Sequence, residues 1–160
     1  MLAGTAEDKY EYGNLAGTTG TQTSYYDLCL LIPATTDFLT VTHGYLYGLT
    51  GTASNGLYMA VFENSGGAIG TQVGGCSDEG IITTGGAAWN QVTWSGNFPA
   101  LQPDTQYWIC QYTDAGMTYY YTQTDWTNKY DLGSPGTCPD KPASAGTWAY
   151  GITVSNYEAH

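Results

Sequence analysis

The residues in this chain best suited to chemistry are aromatic. Tyr119-Tyr120-Tyr121, Trp126 and Tyr130 lie close together in the chain. Such rings stack on the apolar C–H faces of sugars and offer large contact area for little lost conformational entropy. In a strand, Tyr119 and Tyr121 share one face and Tyr120 takes the other. One face must serve the core. The other could join Trp126 and Tyr130 in a ligand platform, with Asp125, Asn128, Gln123 and Asp131 as hydrogen-bond partners for ligand hydroxyls. The plainer alternative is that these rings pack the core and cover a loop. Trp89, Trp94 and Trp108 fall at alternating strand positions and are assigned to structure, while Trp148, at the start of the last expected strand, is left open between the two readings.

Catalytic signals are weak by comparison. The chain has two histidines. His160 is terminal, and His43 alternates with Val41 and Tyr45 on what reads as an apolar face. Nucleophilic chemistry of the Ser-His-Asp type needs an accessible imidazole. Asp125, Asp131, Glu63 and Glu79 could in principle cleave a glycoside as a pair, but their spacing in sequence places no two of them at a working separation. No enzyme is expected. Asp37, Asp78-Glu79, Asp104, Asp114 and Asp140 fall in or near expected loops without the spacing of an EF-hand.

The four cysteines, Cys29, Cys76, Cys110 and Cys138, form an even set without CxxC spacing. With so few histidines to help, zinc is a poor fit, and one or two disulfides are the better reading. Two bridges allow three pairings. Cys29 and Cys110 fall in expected strands and Cys76 and Cys138 in expected loops, which favours Cys29–Cys110 with Cys76–Cys138. Four buried thiols are the alternative.

Composition narrows the partners. The 160 residues include 22 Gly, 15 Tyr and 5 Trp, but only three basic side chains, Lys9, Lys129 and Lys141, and no Arg. At a net charge of −11 the chain cannot neutralise phosphates, so DNA and RNA are rejected as partners. An anionic membrane surface is disfavoured for the same reason. No apolar run is long enough to span a bilayer. The length suits one domain, taken as residues 23–160 behind a Gly/Thr-rich arm at 1–22. The start at Met1 without a signal peptide fits either a truncated secreted chain or a native start on a protein that assembles into a particle. Either way the expected location is extracellular or on the surface of a particle.

The elements that must position these residues are strands. Tyr, Trp, Thr and Val suit pleated, half-buried surfaces, and Gly and Asn suit the turns between them. Beyond a short arm strand at Tyr10–Tyr12, the expected strands are Ser24–Ile32, Phe38–Tyr47, Leu57–Glu63, Ile69–Val73, Ala87–Ser95, Thr105–Thr113, Met117–Thr124 and Thr147–Ser155. In the second, Leu39, Val41, His43, Tyr45 and Tyr47 should share one face. Asp114-Ala115-Gly116 reads as a hairpin turn, and Asp125–Ala145 reads as one long loop. The fold class is all-β, an antiparallel, jelly-roll-like β-sandwich of about eight to nine strands.

Three segments carry a resemblance over roughly residues 23–155. They are Leu57-Tyr58-Met59-Ala60-Val61-Phe62-Glu63-Asn64 with Gly70, Trp89-Asn90-Gln91-Val92-Thr93-Trp94-Ser95, and Leu101-Gln102-Pro103-Asp104-Thr105-Gln106-Tyr107-Trp108-Ile109. Together they resemble a jelly-roll-like β-sandwich domain of secreted bacterial and archaeal proteins that looks like a carbohydrate-binding module. The chain departs from that pattern at Pro103-Asp104 and in its cysteines. The matching residues are core and turn residues, so the resemblance bears on fold more than function, and no ligand residue is carried over. It implies a non-catalytic module or adhesion domain that binds a neutral glycan, and a structural Ca2+ where loops converge; solvated loop carboxylates are the competing reading. The second function considered is a structural subunit of an extracellular filament or a virion decoration or fibre protein. Its arm would self-assemble by adding a strand to a neighbour's sheet.

Overall fold

The structure is a computed structural model that describes residues 11–13, 20–22, 27–49, 56–113, 118–131, 138–139, 141–142 and 144–156. In chain order the strands are β1 (Glu11–Gly13), β2 (Gly20–Gln22), β3 (Asp27–Ile32), β4 (Leu39–Thr40), β5 (His43–Leu49), β6 (Gly56–Ser65) and β7 (Ala68–Val73). They continue as β8 (Gly80–Ile81), β9 (Ala88–Thr93), β10 (Ala100–Leu101), β11 (Tyr107–Thr113), β12 (Thr118–Asp131), β13 (Ser144–Tyr150) and β14 (Ile152–Ser155). All pairings are antiparallel. The main path runs β1-β14-β5-β12-β3-β11-β6-β7, with β9 on β5, β8 on β6, and β2 and β13 on β12; β4 and β10 pair separately. The chain is all-β and sandwich-like, as expected from its alternating pattern.

One core lies between two halves of the folded-over sheet. Leu28, Leu30 and Ile32 of β3, Leu57, Met59 and Val61 of β6, and Tyr107 and Ile109 of β11 meet Leu46 of β5, Val92 of β9, and Ile152 and Val154 of β14. Their spacing by two puts each set on one face of its strand. The side chains between them on β3, β6 and β11 are buried too. Cys29, Ala60, Phe62, Trp108 and Cys110 form a second apolar layer outside that half of the sheet, with Cys76 and Cys138 packed against it.

Both disulfides are present, Cys29–Cys110 and Cys76–Cys138. The first joins directly opposite residues of β3 and β11 with Cα atoms 4.0 Å apart. The second ties the segment at Cys138 to the loop after β7.

The structure corrects several expected elements. There are fourteen strands among the described residues where eight or nine were expected. The long second strand breaks at Val41 and Thr42, because Val41 N bonds the Pro99 carbonyl while Thr42 N bonds that of Ser155. The chain thereby leaves β10 and joins β14, and its inward phase slips by one residue. Leu39 and Val41 face the core, but beyond the break Leu46 does so. Gly44 also points inward, because a Cβ there would meet Met59 and Val92. His43, Tyr45 and Tyr47 therefore share the outer face and do not continue the row of Val41.

The expected hairpin across Asp114-Ala115-Gly116 does not pair its two strands. β11 lies between β3 and β6, and β12 pairs with β2, β3, β5 and β13. The expected loop Asp125–Ala145 is strand at both ends, since β12 runs to Asp131 and β13 starts at Ser144. The turn chemistry that suggested a loop is confined to the residues between them. Both described pieces of the arm are strands of the chain's own sheet: β1 pairs with β14 and β2 with β12.

Candidate functional site

A cluster of three partly exposed aromatic residues crosses the outer face of three strands, β5, β9 and β12. Tyr47 on β5 stands opposite Trp89 on β9, and their ring centroids are 5.3 Å apart with planes tilted by 59°. On its other side Tyr47 meets Tyr120 of β12, again at 5.3 Å, with the planes at 67°. All three residues are half-buried. Cross-strand rings at this separation attract beyond their simple area burial.

A glycine makes the row possible. Gly151 separates β13 from β14 and lies between Tyr47 and Tyr120. Tyr47 N donates to the Gly151 carbonyl at 2.8 Å, and Gly151 N donates to the Tyr120 carbonyl at 3.2 Å. A Cβ on Gly151 would stand 2.8 Å from Tyr47 Cβ and 3.5 Å from the Trp89 ring. The bare backbone therefore forms a floor, and the rings on either side close over it.

Polar groups flank the row. Gln91, two residues along β9 from Trp89, and Thr118, two residues before Tyr120 on β12, are half-buried and share the row's face. Farther along β5 the face is covered: Tyr45 and its neighbour Thr153 are fully buried. Beneath the row, Asn90 ties the strands together. Its amide Nδ2 donates to the carbonyls of Leu46, Gly48 and Ala88 at 3.1, 3.1 and 3.0 Å. Its Oδ1 accepts from Thr83 N at 2.7 Å.

The residues singled out from the sequence are placed as follows. Tyr119 pairs with Gly48, a buried position on the inner phase of β5. Tyr120, whose ring meets Tyr47, is the member of the tyrosine run whose side chain is described. The side chains of Tyr119, Tyr121, Asp125 and Trp126 lie outside the described set. Their backbones lie in β12, and the register against β13 shifts between Gln123 and Asn128, so Asp125 and Trp126 fall within that irregular stretch.

Asn128 is fully buried and pairs with Leu30 and Gly146. A Cβ on Gly146 would stand 2.8 Å from its Oδ1. That position is closed to a ligand, because the core-facing phase of β12 claims it. Tyr130 is half-buried and packs against the main core. Trp94 and Trp108 are buried structural residues, as expected. Trp94 Nε1 donates to the Gly75 carbonyl at 2.8 Å; Trp108 Nε1 donates to the Ala68 carbonyl and Asn64 Oδ1 at 3.2 and 3.3 Å. Trp89 was grouped with them and instead reaches the surface. The odd spacing between Trp89 and Trp94 puts them on opposite faces, Trp89 with Gln91 and Trp94 with Val92.

Other chemistry is less well served. His43 Nδ1 lies 2.8 Å from the Thr42 hydroxyl, and the His43 ring stacks near Tyr45. Ser155 is its cross-strand partner on one side and Thr93 on the other, so the register brings no carboxylate beside the imidazole there. Asp37, Asp78 and Asp104 occupy separate loops, and no described group of three or more His, Cys, Asp or Glu could hold a metal ion. Asp114 and Asp140 lie outside the described residues. No described helix is long and apolar enough to cross a membrane. No protein-family model matches the chain, and a search of curated proteins finds no match either.

Proposed function

We propose that this chain is a non-catalytic binding or adhesion domain that holds a neutral glycan on the row Trp89–Tyr47–Tyr120. The observation that carries the reading is the row itself: three half-exposed rings, in contact, on the outer face of a rigid sheet. A sugar's C–H face can cover such rings, and Gln91 and Thr118 stand where ring hydroxyls need partners. Preorganised rings on strands lose little freedom on binding.

Neutral sugars suit the charge. Lys129 and Lys141 lie over Trp108 and Phe62, in the outer layer on the opposite side of the core. Neither therefore serves the row against an anionic ligand. The two disulfides are weakly consistent with an extracellular location. Both described arm strands are already paired within the chain, so the proposal does not extend to strand exchange between copies.

A glycan array probed with the labelled chain tests the reading. Binding to one or more neutral oligosaccharides is expected, with a Kd of roughly 10 µM to 1 mM for a disaccharide-sized ligand held at about −0.3 kcal/mol per heavy atom or weaker. Binding confined to sulfated or uronic glycans, or to none, would refute it.

A further inference from the structure

We infer that the aromatic row accepts a single free glycan chain or chain end, and not the flat face of a crystalline polysaccharide. This rests on the glycan-binding reading above and narrows its substrate class. The geometry that carries it is the mutual tilt of the rings. Tyr47 stands at 59° to Trp89 and at 67° to Tyr120. Rings that crystalline chains can lie across must share a plane. Here a flat surface laid on one ring meets only the edges of its neighbours.

The site is also short. Its neighbouring centroids are 5.3 Å apart, so the row spans two such steps at most. Along β5 it stops at Tyr45, which is fully buried. Among the described side chains this leaves one row of open rings. A disaccharide-sized segment covers that length, and a chain with free glycosidic torsions can turn one sugar face onto one ring and the next onto another. The backbones of Tyr47 and Tyr120 are both tied to Gly151, and its missing side chain lets the rings approach. Rings in contact at this separation favour tilted over coplanar packing, which holds the row away from a flat arrangement.

The whole chain can be tested against one polymer in two physical forms. Microcrystalline cellulose and chitin would be compared in pull-down with the matching soluble oligosaccharides in titration calorimetry, adding soluble mannan and xylan to widen the panel. Measurable binding to a soluble chain is expected, with at least tenfold weaker retention on a crystalline form of the same polymer. Equal or stronger retention on crystals would overturn the inference and leave the glycan reading standing. Binding to neither form, across the panel, would overturn both.

Tyr120→Ala and Trp89→Ala should each weaken soluble binding at least tenfold, with the fold checked by circular dichroism. Phe38→Ala, at an exposed ring immediately before β4 and outside β5, β9 and β12, should leave it unchanged. Loss of binding in Phe38→Ala with retention in Trp89→Ala would move the site and refute the proposal.

Discussion

Asn90 shows how much one buried side chain can organise. It is 5 % exposed, and its amide spans β9, β5 and the chain at Thr83 through four hydrogen bonds. Asn90→Ala would leave the Thr83 amide and several carbonyls without their partner in a site that excludes water. A loss of roughly 2–4 kcal/mol in unfolding free energy is expected, given about 1–3 kcal/mol per unsatisfied buried group, and urea denaturation measures it. A cost under about 0.5 kcal/mol would contradict the bonding scheme. Gly80 is constrained more tightly still: a Cβ there falls on the Gln91 carbonyl oxygen and close to Val92. Gly80→Ala should destabilise by about 1–3 kcal/mol or more through forced backbone movement, readable as a lowered Tm. At this scale the sequence was only partly legible. Trp94 and Trp108 could be read as structural from their alternation, whereas Trp89 lies on the opposite phase from Trp94 and is half-buried. Asn128 looked like a loop hydrogen-bond donor because its neighbours are polar, and it is buried because β12 continues through it.

At the scale of elements, local pattern located most strands but did not reveal their partners. β6 and β11 were legible because Leu57, Met59 and Val61, and Trp108 and Cys110, alternate within uninterrupted apolar runs. β5 was misphased, because the slip at Val41 and Thr42 depends on hydrogen bonds to Pro99 and Ser155, both remote in sequence. The hairpin signal at Asp114-Ala115-Gly116 failed for a related reason. A turn can reverse the chain without pairing the strands it joins, and β11 already has β3 and β6 on its two edges.

The disulfides differ in the same structural terms. Cys29 and Cys110 are fully buried between β3 and β11, whereas Cys76 and Cys138 are half-buried on the outer layer. Mild reductant followed by alkylation and mass spectrometry should label Cys76 and Cys138 first, because thiol exchange requires access to sulfur. Earlier labelling of Cys29 and Cys110 would contradict the burial. The double variant Cys76→Ser/Cys138→Ser should lower stability by about 2–4 kcal/mol, without loss of the fold.

The whole molecule carries a high negative charge. With a net charge of −11 and a sequence pI near 4.1, solubility should fall to a minimum near pH 4, where repulsion between copies vanishes; turbidity across pH 3–8 reads this directly. The same charge distribution separates the two outer faces. Both described lysines cap the Trp108 and Phe62 layer, and the open rings of Trp89, Tyr47 and Tyr120 lie on the other side of the core. All-β architecture was legible from composition and turn spacing, since nothing in the chain favours helices. The row of rings was not, because it is assembled from β5, β9 and β12 and closed by a glycine whose importance is visible only in three dimensions. The most direct measurement is titration calorimetry of the intact chain and Trp89→Ala with the soluble neutral oligosaccharide that binds best on the array. The account predicts a saturable heat for the intact chain and an affinity at least tenfold lower for the variant. Equal affinity in the two, or no saturable heat with any neutral oligosaccharide, would contradict it.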